Sequence, residues 1–159
     1  MPAEGTIIRV ASGADDIAII RELFLEYASS LGFSLCFQGF DQELERLPGE
    51  YSPPDGRLFI AEYNGKVAGC IALKRLGLDI CEMKRLYLRN DFRGLGLGRI
   101  LAEKLIAEAR AIGYRKMALD TIEDKMKSAV ALYRSLGFNP CAPYYHNPIS
   151  GALYMELEL

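Results

Sequence analysis

Three glycines at alternate positions, in Arg93-Gly94-Leu95-Gly96-Leu97-Gly98-Arg99, follow an apolar run from Ile80 to Leu88 and lead into a helical pattern from Ile100 to Ile112. The order is strand, glycine turn, helix. A helix that opens in this way aims unpaired backbone N–H groups and the positive end of its dipole at one point. That point suits an anion, phosphate above all. The glycines remove side chains that would hold a large ligand off the backbone, and they permit left-handed dihedrals.

Other phosphate and nucleophile motifs are excluded by the residues present. A dinucleotide fingerprint starting at Gly94 or Gly96 needs glycine at 99 or 101, where the chain has Arg99 and Leu101. No G-K-[S/T] follows the turn, and no G-x-S-x-G elbow occurs. Cysteines 36, 70, 81 and 141 form no C-x-x-C pair and His146 is the only histidine, so no metal centre is expected. Cys70 and Cys81 fall in apolar runs and read as small buried hydrophobes in a reducing compartment. Two further stretches concentrate aromatic side chains: Phe33 to Phe40, which includes Phe37 and Phe40, and Tyr144-Tyr145-His146-Asn147-Pro148. The first either covers the core or lines a pocket rim. The second either shapes a pocket or is a surface turn.

A chain of 159 residues fits a single domain over 1–159 with a core of its own. A net charge of −2 gives no reason to expect nucleic acid, and no apolar run reaches membrane-spanning length. Met1-Pro-Ala-Glu-Gly5 has neither the basic nor the apolar region of a secretory leader, so the expected address is cytoplasmic.

The elements that must position these residues can be read from spacing. Thr6 to Val10 is a β-branched run. Ser12 begins a helix, with Asp15 three residues on as a weak capping box, and Gly32 ends it. Asp41 to Leu47 is a second, short helix stopped by Pro48-Gly49. Leu58 to Tyr63 and Lys66 to Leu73 flank Asn64-Gly65, the preferred residues of a type I′ hairpin. Lys116 to Asp120 is a strand. Ala129, Leu132, Tyr133 and Leu136 share one face of a helix capped by Gly137, and Ala152 to Leu159 alternates as an edge-like final strand. Phe138 to Tyr145 is irregular. The order predicts an α/β (α+β) fold, a mixed and mostly antiparallel sheet with helices on both faces.

Three stretches together resemble the GCN5-related N-acetyltransferase (GNAT) superfamily: Arg93-Gly-Leu-Gly-Leu-Gly98, the preceding strand end Leu86-Tyr87-Leu88, and Ala131-Leu-Tyr-Arg-Ser-Leu-Gly-Phe138. The resemblance implies acetyl-CoA as co-substrate, with its pyrophosphate on the N–H groups from Arg93 through Gly94, Leu95, Gly96, Leu97 and Gly98 to Arg99. Its pantetheine would pair with the edge formed by Leu86, Tyr87 and Leu88, in a gap where the family's sheet splays. Arg93 and Arg99 either add contacts to phosphate or are exposed helix-start arginines. The implied reaction is acetyl transfer to a primary amine by direct attack.

That chemistry needs a base and an acid. Glu82, in an otherwise apolar strand, is the candidate base, acting directly or through ordered water, since partial burial would raise its pKa. Its rival role is an ion pair with Lys84 or Arg85. Tyr133 matches the tyrosine that serves the family as general acid to the departing thiolate, and its rival role is core packing. Where many members carry asparagine at the start of this helix, the chain has Met126. Phe37, Phe40, Tyr144 and Tyr145 are the candidate acceptor-binding residues. The acceptor class stays open between a small-molecule amine and a peptide or protein amine. Dimerisation is common among similar proteins, although no interface is legible. A non-catalytic acetyl-CoA-binding sensor or assembly module is the alternative.

Overall fold

The computed structural model describes residues 5–159. The reading of Met1 to Gly5 as lacking a leader rests on a stretch of which 1–4 lie outside the described residues. Strand β1 (Thr6–Val10) is followed by helix α1 (Gly13–Leu31), helix α2 (Phe40–Arg46), strands β2 (Arg57–Tyr63), β3 (Lys66–Arg75) and β4 (Ile80–Leu88), and helix α3 (Leu97–Ile112). Strand β5 (Lys116–Ile122), helix α4 (Lys127–Ser135) and strands β6 (Asn139–Pro140) and β7 (Ala152–Glu158) complete the order. The sheet runs β1-β2-β3-β4-β5-β7-β6. Every neighbouring pair is antiparallel except β4–β5.

The hairpin forms as its turn residues require: Asn64 and Gly65 both take positive φ, 50° and 81°, which a type I′ turn demands. Side chains alternate across the sheet and divide the core in two. On one face Phe59, Ile71, Leu73, Met83 and Met117 pack with Leu97, Leu101 and Leu105 of α3 and Tyr133 of α4. On the other, Leu58, Ile60, Cys70 and Ala72 pack with Ile20, Leu23 and Phe24 of α1 and Phe40 of α2. Each fully buried Leu, Ile or Phe contributes about 1.5–3 kcal/mol of burial free energy.

Three sequence expectations change in detail. Helix α3 begins at Leu97 rather than Ile100, because Leu97 is fully buried and anchors the first turn, while Gly96 at φ 80° forms the N-cap. Ser12 is the N-cap of α1 but makes no side-chain cap; its N–H donates to Asp16 Oδ2 at 2.9 Å, so the carboxylate comes from Asp16 and not Asp15. The final strand is not an edge: β7 lies between β5 and the two-residue β6, which supplies the edge from a stretch read as irregular. Among the described residues no helix is long and apolar enough to cross a membrane, and no group of three or more His, Cys, Asp or Glu is placed to hold a metal ion.

Candidate active site

The parallel ladder between β4 and β5 holds for three pairs, Ile80–Lys116, Cys81–Met117 and Glu82–Ala118, and then stops. Beyond it β5 continues against β7 as far as Ile122–Ala152, and β4 continues against β3 as far as Leu88–Gly69. The strands therefore part after Glu82, leaving the β5-facing edge of 83–88 without a strand partner. A bulge sharpens the opening. Cys70 faces Tyr87 and Ala72 faces Lys84, so β4 carries one extra residue here, and Arg85 takes φ 60° to accommodate it.

The glycine turn lies just past this open edge. Gly94 and Gly96 both adopt φ 80°, and a Cβ built on either would meet nothing within 4 Å, so the space above the turn is clear. Among the described residues, none of the N–H groups from Gly94 to Arg99 donates to an intramolecular acceptor; the first to do so is Ile100, to Gly96 O at 3.2 Å. Leu97 offers only this backbone group, since its side chain is core. Arg93 Nε donates to Leu88 O at 3.0 Å, its guanidinium 6.0 Å from the Tyr87 ring, and Arg99 donates to Ser135 Oγ. Both arginines are therefore held locally, Arg93 on the carbonyl of Leu88. Consecutive free N–H groups at a helix N-terminus beside an unpaired strand edge fit a ligand that carries phosphates at one end and amides along its length.

Glu82 is 3% exposed and sits at the last paired rung. Its Oε2 accepts the Tyr144 hydroxyl at 2.7 Å, and Lys74 Nζ stands 3.8 Å from Oε1. The ion pair with Lys84 or Arg85 that its position suggested is not made. Burial, then the Glu82 charge, pushes the Tyr144 phenol well up, so Tyr144 keeps its proton and donates it.

Tyr133 lies on the buried face of α4, 8% exposed, its ring 5.8 Å from Phe138. Its hydroxyl donates to no acceptor among the described residues. Burial raises its pKa, and Tyr27 and Asp120 add to the effect, so the phenol is protonated at neutral pH. Met126 is the N-cap of α4, and its sulfur accepts from the Thr121 hydroxyl, Oγ1 to Sδ 3.0 Å.

The aromatic candidates separate. Phe40 is core, with the Arg85 guanidinium 5.3 Å over its ring, and Phe37 packs half-buried against the same cluster. Gln38, between them, reaches the polar residues around Arg85 and Tyr145. Tyr144, Tyr145 and Tyr154 pack together with ring centroids 5.5–5.8 Å apart. Tyr145 donates to Asp120 Oδ2 and accepts from Gln38 Nε2 at 3.0 Å, and Asn147 Nδ2 donates to the same Asp120 oxygen at 2.8 Å. Gln38 Oε1 in turn accepts from Arg85 Nη1 at 2.7 Å and Lys84 Nζ at 3.2 Å. Arg85 holds Glu43 in two bonds of 2.9 Å. Burial is the largest single effect on Arg85 and opposes its charge, but the Glu43 bond and the Tyr51, Glu43 and Tyr27 charges together outweigh it and its pKa is raised.

This geometry and the sequence can be set against known proteins. The profile of the acetyltransferase (GNAT) family matches residues 19–138. An uncharacterized N-acetyltransferase of Schizosaccharomyces pombe is 42% identical over 146 residues, which cover 91% of this chain and 89% of that one. The chain belongs to the GNAT family of N-acetyltransferases. Acetyl-CoA is the co-substrate of GNAT enzymes. The fold is shared with an acetyltransferase from Streptococcus agalactiae, TM-score 0.78 at 24% identity over 98% of this chain and 99% of that one. It is shared too with a GNAT acetyltransferase from Elizabethkingia anophelis that has acetyl-CoA bound, TM-score 0.71 at 21% identity over 98% and 99%. Gln38, Glu43 and Asp120 were given no role in the sequence reading of this GNAT chain, and Lys84, Arg85 and Asn147 entered it only as possible ion-pair partners of Glu82 or as part of an aromatic stretch. One signal was available: Lys84-Arg85 are two adjacent charges inside a mostly apolar strand, at the place where the bulge falls.

Proposed function

We propose that this GNAT chain, as a single domain over 1–159 working in the cytoplasm, transfers the acetyl group of acetyl-CoA to a primary amine by direct attack. Glu82 takes the proton from the amine, directly or through ordered water. Tyr133 gives a proton to the departing sulfur. The supporting observation is the parting of β4 and β5 after Glu82–Ala118, beside six N–H groups that no intramolecular acceptor occupies.

Acetyl-CoA, when bound, supplies an acetyl activated as a thioester. Gly94 to Arg99 would hold its phosphates through backbone N–H groups, and Leu86, Tyr87 and Leu88 would face its amide-bearing arm. An alkylammonium with a pKa of ~10 does not attack until it loses a proton, and Glu82 is a buried carboxylate at the last paired rung beside the gap. Tyr144 fixes the orientation of that carboxylate through Oε2 and leaves Oε1 toward Lys74. Tyr133 suits a donor because its hydroxyl is protonated and uncommitted.

A screen of amine acceptors with acetyl-CoA, read as release of free thiol, tests the reading. Thiol release that depends on the acceptor is the expected result. No release with any amine, together with no thermal shift on adding acetyl-CoA, overturns it.

A further inference from the structure

Two residues beyond the last paired rung, Lys84 on β4 and Asp120 on β5 occupy the same face as Glu82 and Ala118 by strand alternation, on opposite sides of the widening gap. Their charges are left over when the others at this mouth are matched. Arg85 holds Glu43 at 2.9 Å, and Lys74 lies 3.2 Å from Glu50 and 3.8 Å from Glu82. Lys84 is half-buried and makes no ion pair among the described residues; its one partner is the neutral amide oxygen of Gln38. Asp120 likewise has no cation, only the Tyr145 hydroxyl and the Asn147 amide. A neutral bridge, Gln38 to Tyr145, spans the distance between them.

An ammonium taken partly out of water without a counter-charge is costly. Burial, then the neighbouring Arg85 charge, lowers the Lys84 pKa. An anion arriving from solvent relieves both costs; the Glu82 and Asp120 charges act on Lys84 from a distance but less than burial and Arg85 do, and neither makes an ion pair with it among the described residues. Lys84 and Glu82 are alternate residues of one strand, about 6.6 Å apart along it. That interval matches a ligand whose amine and carboxylate are neighbours.

Resting on the acetyl-transfer reading, we infer that the acceptor carries a carboxylate next to its reacting amine, the α-amino acid class, with Lys84 Nζ receiving the carboxylate and Glu82 and Asp120 facing the amine. Lys84 has two N–H groups left after Gln38, enough for one carboxylate. A peptide N-terminus or a protein lysine offers no carboxylate at that spacing.

The test uses matched acceptors with acetyl-CoA: free α-amino acids, their C-terminal amides and their decarboxylated amines, compared by kcat/KM from thiol release. The wild-type chain is expected to prefer the free acid by about tenfold or more, the size of a hydrogen bond between charged groups. Lys84→Met is expected to collapse that ratio toward one, chiefly by raising KM for the acid, while Lys84→Arg restores most of it. Thermal unfolding of both variants shows whether either has lost its fold. Transfer to decarboxylated amines or amides as fast as to the acids overturns the inference and leaves acetyl transfer standing. So does a Lys84→Met variant that is folded and keeps the full preference. No thiol release with any of these acceptors overturns the inference, and if acetyl-CoA also gives no thermal shift and no other amine releases thiol, the acetyl-transfer reading falls with it.

Discussion

Tyr144 donates its hydroxyl to Glu82 Oε2 at 2.7 Å, a bond between residues 62 apart in sequence that ties the loop between β6 and β7 to the last paired rung of the β4–β5 ladder. If Glu82 is the base, Tyr144 acts only through it. Glu82→Gln then lowers kcat/KM about 100-fold or more, and Tyr144→Phe lowers it by roughly a single hydrogen bond, about 3- to 10-fold. The double variant falls no further than Glu82→Gln alone. Losses that simply multiply in steady-state kinetics would separate the two residues and refute the assignment.

Tyr133→Phe removes a hydroxyl that no described residue uses, so stability is expected to move by less than about 0.5 kcal/mol. The rate should behave otherwise, with kcat falling about 100-fold and the affinity for acetyl-CoA unchanged. Calorimetric titration of the cofactor beside kcat decides it. Full kcat in the variant would reduce Tyr133 to a core residue.

Gly98 differs from Gly94 and Gly96 in having helical rather than left-handed dihedrals, and a Cβ there would make ordinary contacts of 3.6 Å with Leu132 and Leu88. Gly98→Ala should therefore leave Tm unchanged or raise it, since alanine favours the helix by about 1 kcal/mol. The same methyl stands among the N–H groups assigned to phosphate, and the Kd for acetyl-CoA is expected to rise about tenfold. Unchanged cofactor affinity would move the phosphate site elsewhere.

The hydrogen bond from Arg9, then that from the Ser12 N–H, holds the Asp16 carboxyl below its ordinary value of 3.8. The unfolded chain keeps this proton to higher pH than the folded chain does, so the contact stabilises fully above that value and is lost as pH falls through the folded pKa. Asp16→Asn should lower Tm at neutral pH by about 3–6 °C, and its deficit against the wild type should shrink on going to about pH 3. Thermal unfolding at both pH values measures it; a constant deficit would assign the effect to packing instead.

The parts of this molecule carried by local chemistry were readable from the chain. Asn64-Gly65 dictates its turn whatever surrounds it, and the alternate glycines after Ile80–Leu88 announce a helix start that lacks acceptors. The acceptor side was opaque because its contacts are not local: Gln38 meets Tyr145 across 107 positions, and Tyr145 meets Asp120 across 25. No periodicity encodes such a meeting. Phe37 and Phe40 drew attention as aromatics, yet Phe40 is buried in the core and Phe37 half-buried against it, and the polar Gln38 between them makes the contacts to Arg85 and Tyr145. The alternation of Ala152 to Glu158 suited either an edge or an interior strand, and two residues of β6 decided between them.

The parallel seam of three residue pairs has a mechanical consequence. Four strands on one side and three on the other are sewn together over a fraction of their length, so the sheet is a hinged plate whose hinge is Ile80–Glu82 against Lys116–Ala118. A ligand wedged into the open end braces both leaves and raises the free energy of opening by about 2.7 kcal/mol at a hundredfold excess over its Kd. Amides of β5 and β7, remote from the glycine turn, should then exchange with solvent more slowly once acetyl-CoA is added, as though the co-substrate supplied the missing rungs of the ladder.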